Sequence, residues 1–272
     1  MAPYYEEFGL DGTSPTLAGS LTPFDDAMCE VVEDLKPEVV SFHFGLPASP
    51  LVSRVKTAGC RVLASATTVD EARWLEDNGC DAIIAQGYEA GGHRGMFLTD
   101  DITTQVGVCA LVPQVVDAVR VPVIAAGGIA DGRGVAAAFA LGAAGVQIGT
   151  AYLFTSQALI SDLHRVALAT ASDAGTALTN LFSGRPARSL VNRVMREAGP
   201  MSNLAPVFPT AGAAMAPLKA AAEAQSASDF SSLWSGQAAG LCHAAGVTDA
   251  GELTRNLVDD AARRLRELAS PA

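Results

Sequence analysis

Between residues 37 and 151 the apolar positions gather into short runs separated by amphipathic stretches. The runs are Val39-Val40-Ser41-Phe42-His43-Phe44, Arg61-Val62-Leu63-Ala64-Ser65, Ala82-Ile83-Ile84-Ala85-Gln86, Val121-Pro122-Val123-Ile124-Ala125-Ala126 and Gly145-Val146-Gln147-Ile148-Gly149. They are near-continuous rather than alternating, as expected of strands covered on both faces in a parallel sheet. Between them, Val69 to Asn78 places Val69, Ala72 and Leu75 at helical spacing and stops before Gly79. Gly134 to Leu141 is rich in Ala and stops before Gly142. With runs starting at 39, 61, 82, 121 and 145, the spacings are 22, 21, 39 and 24 residues. This predicts a βα repeat with right-handed parallel crossovers, one unit being enlarged by an insertion around residues 88–110.

The character changes on either side of this region. Residues 1–36 read as an N-terminal loop and helix, with a Gly/Ser/Thr/Pro loop from Asp11 to Pro23 and an acidic helix from Phe24 to Leu35. Residues 152–272 read as a helical segment packed on the repeat, with helices over Lys219 to Gln225 and Asp249 to Leu268. The fold class is therefore α/β, a TIM-barrel-type parallel βα repeat with a C-terminal helical segment. A complete barrel of eight units takes about 250 residues. Five strands are legible here, so the barrel is expected to be incomplete.

Composition narrows the function classes. The chain is 49% hydrophobic and 17% charged, too apolar for disorder. Eighteen basic residues against 29 acidic ones give a net charge of −11, which repels phosphate backbones and anionic lipid. Nucleic-acid and membrane partners are not expected. Met1 to Gly9 carries Glu6 and Glu7 and lacks a signal pattern, so a cytoplasmic location is expected. Cys29, Cys60, Cys80, Cys109 and Cys242 are widely spaced and form no CxxC pair. They are expected to be reduced, buried, small apolar residues, neither zinc ligands nor a nucleophile. No metal is predicted.

In parallel α/β folds, reactive residues follow the C-terminal ends of strands. Three segments stand there. Gln86-Gly87-Tyr88-Glu89-Ala90-Gly91-Gly92-His93-Arg94-Gly95 can expose backbone N–H groups to a ligand and carries His93, an imidazole able to take a proton near neutral pH. The lone histidine reads equally as a structural residue. Ala126-Gly127-Gly128-Ile129-Ala130-Asp131-Gly132-Arg133-Gly134 leads from a strand into a helix, and either cradles a phosphate or is an ordinary glycine-rich turn. It is not a dinucleotide fingerprint, because the GxGxxG spacing is absent and the next strand ends in Gln147-Ile148-Gly149-Thr150 without a carboxylate. That third segment offers backbone N–H groups, an amide and a hydroxyl, and two neighbouring turns of this kind form the phosphate cup of a TIM barrel. Among the other candidates, His43 is read as a hydrogen-bonded core residue in preference to a cavity residue. His164 and His243 are read as helix-surface residues. Ser183 to Arg193, locally basic in an acidic chain, is read as a solvated helix start, with an anion site as the alternative.

Taken together, these motifs and Ser65-Ala66-Thr67-Thr68 resemble the nitronate monooxygenases, formerly 2-nitropropane dioxygenases. Ser41-Phe42-His43-Phe44-Gly45-Leu46-Pro47 and Trp234-Ser235-Gly236-Gln237 resemble them as well, and the likeness runs from about residue 4 to residue 268. It implies a TIM-barrel flavoprotein with non-covalent FMN, contacted by Gln86, Gly91, Gly128, Gln147, Ile148, Gly149 and Thr150. Gly128, Gly149 and Thr150 would hold the phosphate, and His93 would be the catalytic residue over the flavin. The implied reaction is oxidation of an alkyl nitronate or nitroalkane with O2 to a carbonyl compound and nitrite. The Glu-Ala-Gly-Gly-His loop is shared with flavin-dependent enoyl-acyl-carrier-protein reductases, so NAD(P)H-dependent enoyl-thioester reduction is the alternative activity. A third alternative is a non-catalytic partner or remnant. Family members also begin with about three βα units, including an Asn at the flavin, that have no counterpart here. The resemblance therefore implies a shortened chain, strands supplied by another chain, or an open sheet. Oligomeric state is left open, a homo-oligomer included.

Overall fold

The computed structural model describes residues 1–11, 23–244 and 246–269, the side chains of His243 and Ala244 excepted. The expected surface position of His243 and most of the loop over residues 11–23 thus lie outside the described residues. The chain divides into two compact units. The first takes in the described residues of Thr22–Ala90, Arg94–Gly149 and Gly251–Ala272; the second takes in those of Met1–Leu21, Gly91–His93 and Thr150–Ala250.

After α1 (Ala2–Glu7), which belongs to the second unit, the first unit runs α2 (Asp26–Leu35), β1 (Val39–Phe42), α3 (Ser49–Thr57), β2 (Arg61–Ala66), α4 (Val69–Asp77) and β3 (Ala82–Gln86). The two-residue β4 (Gly92–His93) belongs to the second unit, and α5 (Val108–Ala118), β5 (Val123–Ala126), α6 (Gly132–Ala140) and β6 (Gly145–Gln147) return to the first. The five strands are parallel in the order β1-β2-β3-β5-β6. Spatial order follows chain order without reversal. That is the wall of a βα barrel and not a doubly wound sheet, whose strand order reverses at a switch point. The five predicted strands are all present, with starts within two residues of those expected.

Local sequence explains the elements. Thr68 caps α4 by accepting Glu71 N–H at 3.2 Å, and Asp131 caps α6 by accepting Arg133 N–H at 2.9 Å. Strand β3 is buried at every position, with Ile83 opposite Val123. The inward faces of α3, α4 and α5 cover the sheet with Val52, Val55, Ala72, Leu75, Leu111, Val112 and Val115, all buried. Strand β1, at the rim of the described sheet, alternates between exposed and half-buried positions.

The second unit contains α7 (Thr150–Leu153), α8 (Asp162–Ala169), β7 (Thr176–Thr179), β8 (Ala187–Leu190), α9 (Arg193–Ala198), α10 (Ala211–Ala224) and α11 (Ala239–Ala244). The 20-residue α12 (Ala250–Ala269) closes the described chain. The C-terminal region is therefore mainly helical, but it also holds two strands that the helical reading lacks. They form an antiparallel sheet with β4 in the order β4-β8-β7. Its core joins Phe182, Met195, Met215, Leu218 and Phe230. Tyr4 and Phe8 meet the Phe230 ring edge-on, at 5.1 and 5.6 Å between ring centroids.

Cys29, Cys60, Cys80 and Cys242 are buried thiols, and burial pushes the Cys80 thiol up to about 12. Cys109 corrects the expectation for the group: it is exposed, on the first turn of α5. Among the described residues, no helix is long and apolar enough to cross a membrane.

Candidate functional site

In the first unit the site-bearing segments leave the C-terminal ends of the strands. At the end of β3, the buried Gln86 accepts the Gly95 N–H on Oε1 at 2.7 Å. Beside it lies Arg94, fully buried, which donates to the carbonyls of Gln86 and Gly87 at 2.7 Å each and to Gln105 Oε1 at 2.9 Å. Gln105 donates in turn to Thr67 Oγ1 at 2.9 Å. Thr67 donates through its N–H and its hydroxyl, both at 2.7 Å, to Oε2 of the fully buried Glu71. The other Glu71 oxygen accepts Phe97 N–H at 2.6 Å and Leu98 N–H at 3.3 Å. This polar chain fixes both the strand end and the segment after the glycine-rich loop. Sequence reasoning does not single out Arg94, Glu71 or Gln105, because a buried ion looks like a solvated one in a linear pattern.

Strands β5 and β6 pair with Ala126 opposite Gln147, so the turns at Gly127-Gly128 and Ile148-Gly149 leave adjacent strands at the same end. Gly128 has φ +71°, and a side chain there would meet Glu89 Cβ at 3.3 Å. Glu89 accepts Val108 N–H at 2.9 and 3.1 Å on its two oxygens, at the N-terminus of α5, where the helix dipole favours a carboxylate. Clearance for Glu89 is thus one reason for glycine at 128. Gln147 and Gly149 are exposed, Ile148 is half-buried, and none of the described residues stands within 4 Å of where a Gly149 side chain would begin. Open, glycine-bearing turns on neighbouring strands fit a phosphate monoester held by backbone N–H groups. His43 departs from its reading as a core residue. Strand β1 stops at Phe42, and His43 is exposed, its ring 4.5 Å from that of Phe44.

In the second unit, β4 pairs with β8, with Gly92 opposite Arg188 and His93 opposite Ala187. His93 is half-buried, and its Nε2 lies 2.8 Å from Ser183 Oγ. Trp234 tilts against the imidazole at 5.3 Å between centroids, and Phe208 meets it edge-on at 6.1 Å. Gly91 has a packing reason: a side chain there would begin 2.5 Å from Gly236 N and 2.6 Å from the Ser235 carbonyl carbon. Thr150 meets the same segment, its hydroxyl oxygen accepting Gly236 N–H at 2.9 Å. Gly91 and Thr150, chosen from distant motifs, therefore come together at Ser235-Gly236.

Two readings in this unit are corrected. Ser183 to Arg188 is not a solvated helix start: it is a turn entering β8, Arg188 is buried and donates to Thr176 Oγ1 at 3.2 Å, and helix α9 begins only at Arg193, capped by Asn192. His164 is not on a surface. It is 8% exposed, buried like Leu168 on the inner face of α8, and its Nε2 is buried without a hydrogen-bond partner among the described residues. Burial holds its pKa below the ordinary histidine value, against the opposing pull of a hydrogen bond to the Trp234 backbone. Among the described residues, no group of three or more His, Cys, Asp or Glu side chains could hold a metal ion.

The family model for nitronate monooxygenase matches residues 12–260. The nitronate monooxygenase of Paraburkholderia phytofirmans is 41% identical over 98% of this chain and 73% of its own length. The probable nitronate monooxygenase of Bacillus subtilis is 42% identical over 76% of this chain and 60% of its own. This chain thus matches three-fifths to three-quarters of the length of these relatives. Among solved structures, the nitroalkane oxidase of Streptomyces ansochromogenes superposes with a TM-score of 0.87 at 39% identity, over 99% of this chain and 76% of that one. FabK of Thermotoga maritima gives 0.74 at 30% identity, over 92% and 76%.

Proposed function

Because this chain belongs to the nitronate monooxygenase family, we propose that it oxidises alkyl nitronates, and nitroalkanes after proton removal, with FMN and O2, to a carbonyl compound and nitrite. The observation that carries the reading is the setting of His93: a half-buried imidazole tied at 2.8 Å to one hydroxyl and flanked by two aromatic rings. That setting holds a general base in one orientation.

The residues proposed to hold FMN are Gln86, Gly91, Gly128, Gln147, Ile148, Gly149 and Thr150, with Gly128, Gly149 and Thr150 at the phosphate. The side-by-side exit of the Gly128 and Gly149 turns supports this assignment. Bound FMN supplies the electron acceptor and the reaction with O2. The protein's share is geometry and proton handling. For a neutral nitroalkane, His93 removes the proton on the carbon bearing the nitro group; for a nitronate, it orients the anion and stabilises charge. Ser183 helps to set the tautomer. When its hydroxyl proton points to the Arg185 carbonyl, 3.2 Å away, Nε2 of His93 must carry a hydrogen, which leaves the basic lone pair on Nδ1. The reading carries with it a cytoplasmic enzyme for small molecules, without a nucleic-acid partner.

The test is twofold. Protein mixed with FMN and desalted should keep flavin absorbance, and it should then consume O2 and release nitrite from a preformed alkyl nitronate. Colourless protein after desalting refutes FMN binding by this chain. Flavin-loaded protein that ignores nitronate but oxidises NAD(P)H only with an enoyl thioester turns the assignment to the reductase activity that shares the Glu89-to-His93 loop.

A further inference from the structure

The Arg185 side chain has no role in the proton chemistry above, yet the basic turn that carries it is built around the same imidazole. Ser183 Oγ meets His93 Nε2 at 2.8 Å, and the same oxygen accepts the Arg185 N–H at 3.3 Å. Gly184, at φ +93°, is so closely covered by Pro206, Val207 and Phe208 that no side chain fits there. The turn therefore seats the 206–208 segment directly on itself. The seating sets the Phe208 ring edge-on to His93 at 6.1 Å, with the Arg185 guanidinium over the same ring, Cζ 5.4 Å from its centroid. The guanidinium is thus no farther from the imidazole than these two distances combined. Trp234 stands against the imidazole as well, and is itself met edge-on by Phe182 at 5.7 Å.

A planar, two-oxygen anion is what a guanidinium binds best, because its parallel N–H groups match two oxygens at once. A nitronate is such an anion, with an apolar tail that aromatic rings accept. It must approach a chain of net charge −11, which repels it. We propose that Arg185, held over Phe208, is the substrate-anion residue of this enzyme: it recognises the two oxygens of the nitronate group and brings the anion to His93. The arginine discriminates between the charged and neutral forms of a substrate, whereas His93 acts on the proton. The inference rests on the nitronate reading for the identity of the anion and adds the residue that selects it.

The experiment uses the full chain supplemented with FMN, as wild type, Arg185→Met and Arg185→Lys. Thermal unfolding first shows that the variants fold. Nitrate, an unreactive planar anion, is titrated while the His93 ring signal is followed by NMR. A saturable shift is expected in the wild type, with affinity about tenfold to a hundredfold weaker in Arg185→Met, the loss of one charge-assisted partner, and partly restored in Arg185→Lys. On substrates, Arg185→Met should raise KM for a preformed nitronate by a similar factor while changing KM for the neutral nitroalkane less than about threefold. Equal nitrate affinity in all three proteins, no nitrate response of His93 in the wild type, or equal losses on charged and neutral substrates would each overturn the proposal. Nitrate binding that depends on Arg185 in a protein that does not oxidise nitronate would instead refute the reaction and leave the anion site standing.

Discussion

Replacing Glu71 should be among the most damaging single changes outside the proposed reaction centre. The residue is fully buried, and its carboxylate accepts four hydrogen bonds, two from Thr67 and one each from Phe97 and Leu98. Glu71→Leu keeps the volume and removes every acceptor. The Thr67 hydroxyl can rotate elsewhere, and Leu98 is exposed with a bond of 3.3 Å, so neither adds much. The N–H groups of Thr67 and Phe97 have no such escape, and each stranded donor costs about 1–3 kcal/mol. The expected loss is about 3–5 kcal/mol, a large part of the total stability of a typical domain. Glu71→Gln keeps one carbonyl oxygen but turns an NH2 group toward the remaining donors, which predicts a smaller loss of about 2–3 kcal/mol. Urea unfolding followed by far-ultraviolet circular dichroism reads both, with the midpoint falling from wild type to Gln to Leu. A Leu variant within about 1 kcal/mol of wild type, or one more stable than the Gln variant, would refute the reasoning.

Other outcomes follow from the same structure. His93→Ala should cut turnover of a neutral nitroalkane by about a hundredfold to ten-thousandfold while reducing turnover of a preformed nitronate much less; equal losses in an O2-uptake assay would contradict the role as base. Gly91→Ala should cost about 1–3 kcal/mol in thermal unfolding, because its new carbon would begin 2.5 Å from Gly236 N, and an unchanged melting temperature would show that this packing yields freely. His164 should make stability depend on pH. Its folded pKa lies below 6.5, so at pH values between the two the unfolded chain binds more protons, and stability falls as the pH drops below about 6.5. His164→Leu should flatten that dependence between about pH 8 and pH 5.5, and an unchanged slope would dismiss the assignment.

What the linear pattern discloses depends on how local the determining forces are. The parallel strands are legible because each is a buried apolar run, and β3 is buried at every position. The α4 and α6 helices are legible because caps and stops are local signals. Strand β8 is not: its four residues include Arg188, which looks solvated until the fold buries it. Its pairing with β4 lies more than ninety residues back along the chain, beyond any local window. His164 lies between the charged Asp162 and Arg165, but the four-residue spacing to Leu168 marks it as inward-facing, a signal that a count of flanking charges misses. His43 departs from the strand for a geometric reason. The apolar run continues past Phe42, while the backbone turns out of the strand, with Phe44 at φ +67°. For the candidate site, the glycine turns and His93 are visible in order, whereas Arg94 and Glu71 are not, since their meaning comes from partners that only the fold supplies.

The two-residue strand that carries His93 has a bearing on biosynthesis. Its ladder partner, Ala187, and its hydrogen-bonded neighbour, Ser183, are translated long after it. A nascent polypeptide that ends after Gln147 but before Ser183 already contains the five described strands of the parallel sheet, yet it has neither partner against which to align the imidazole. Ribosome-bound intermediates of that length would hold a formed sheet and an unregistered base, so any reactivity that depends on His93 is withheld until the segment from Ser183 to Leu190 has been made.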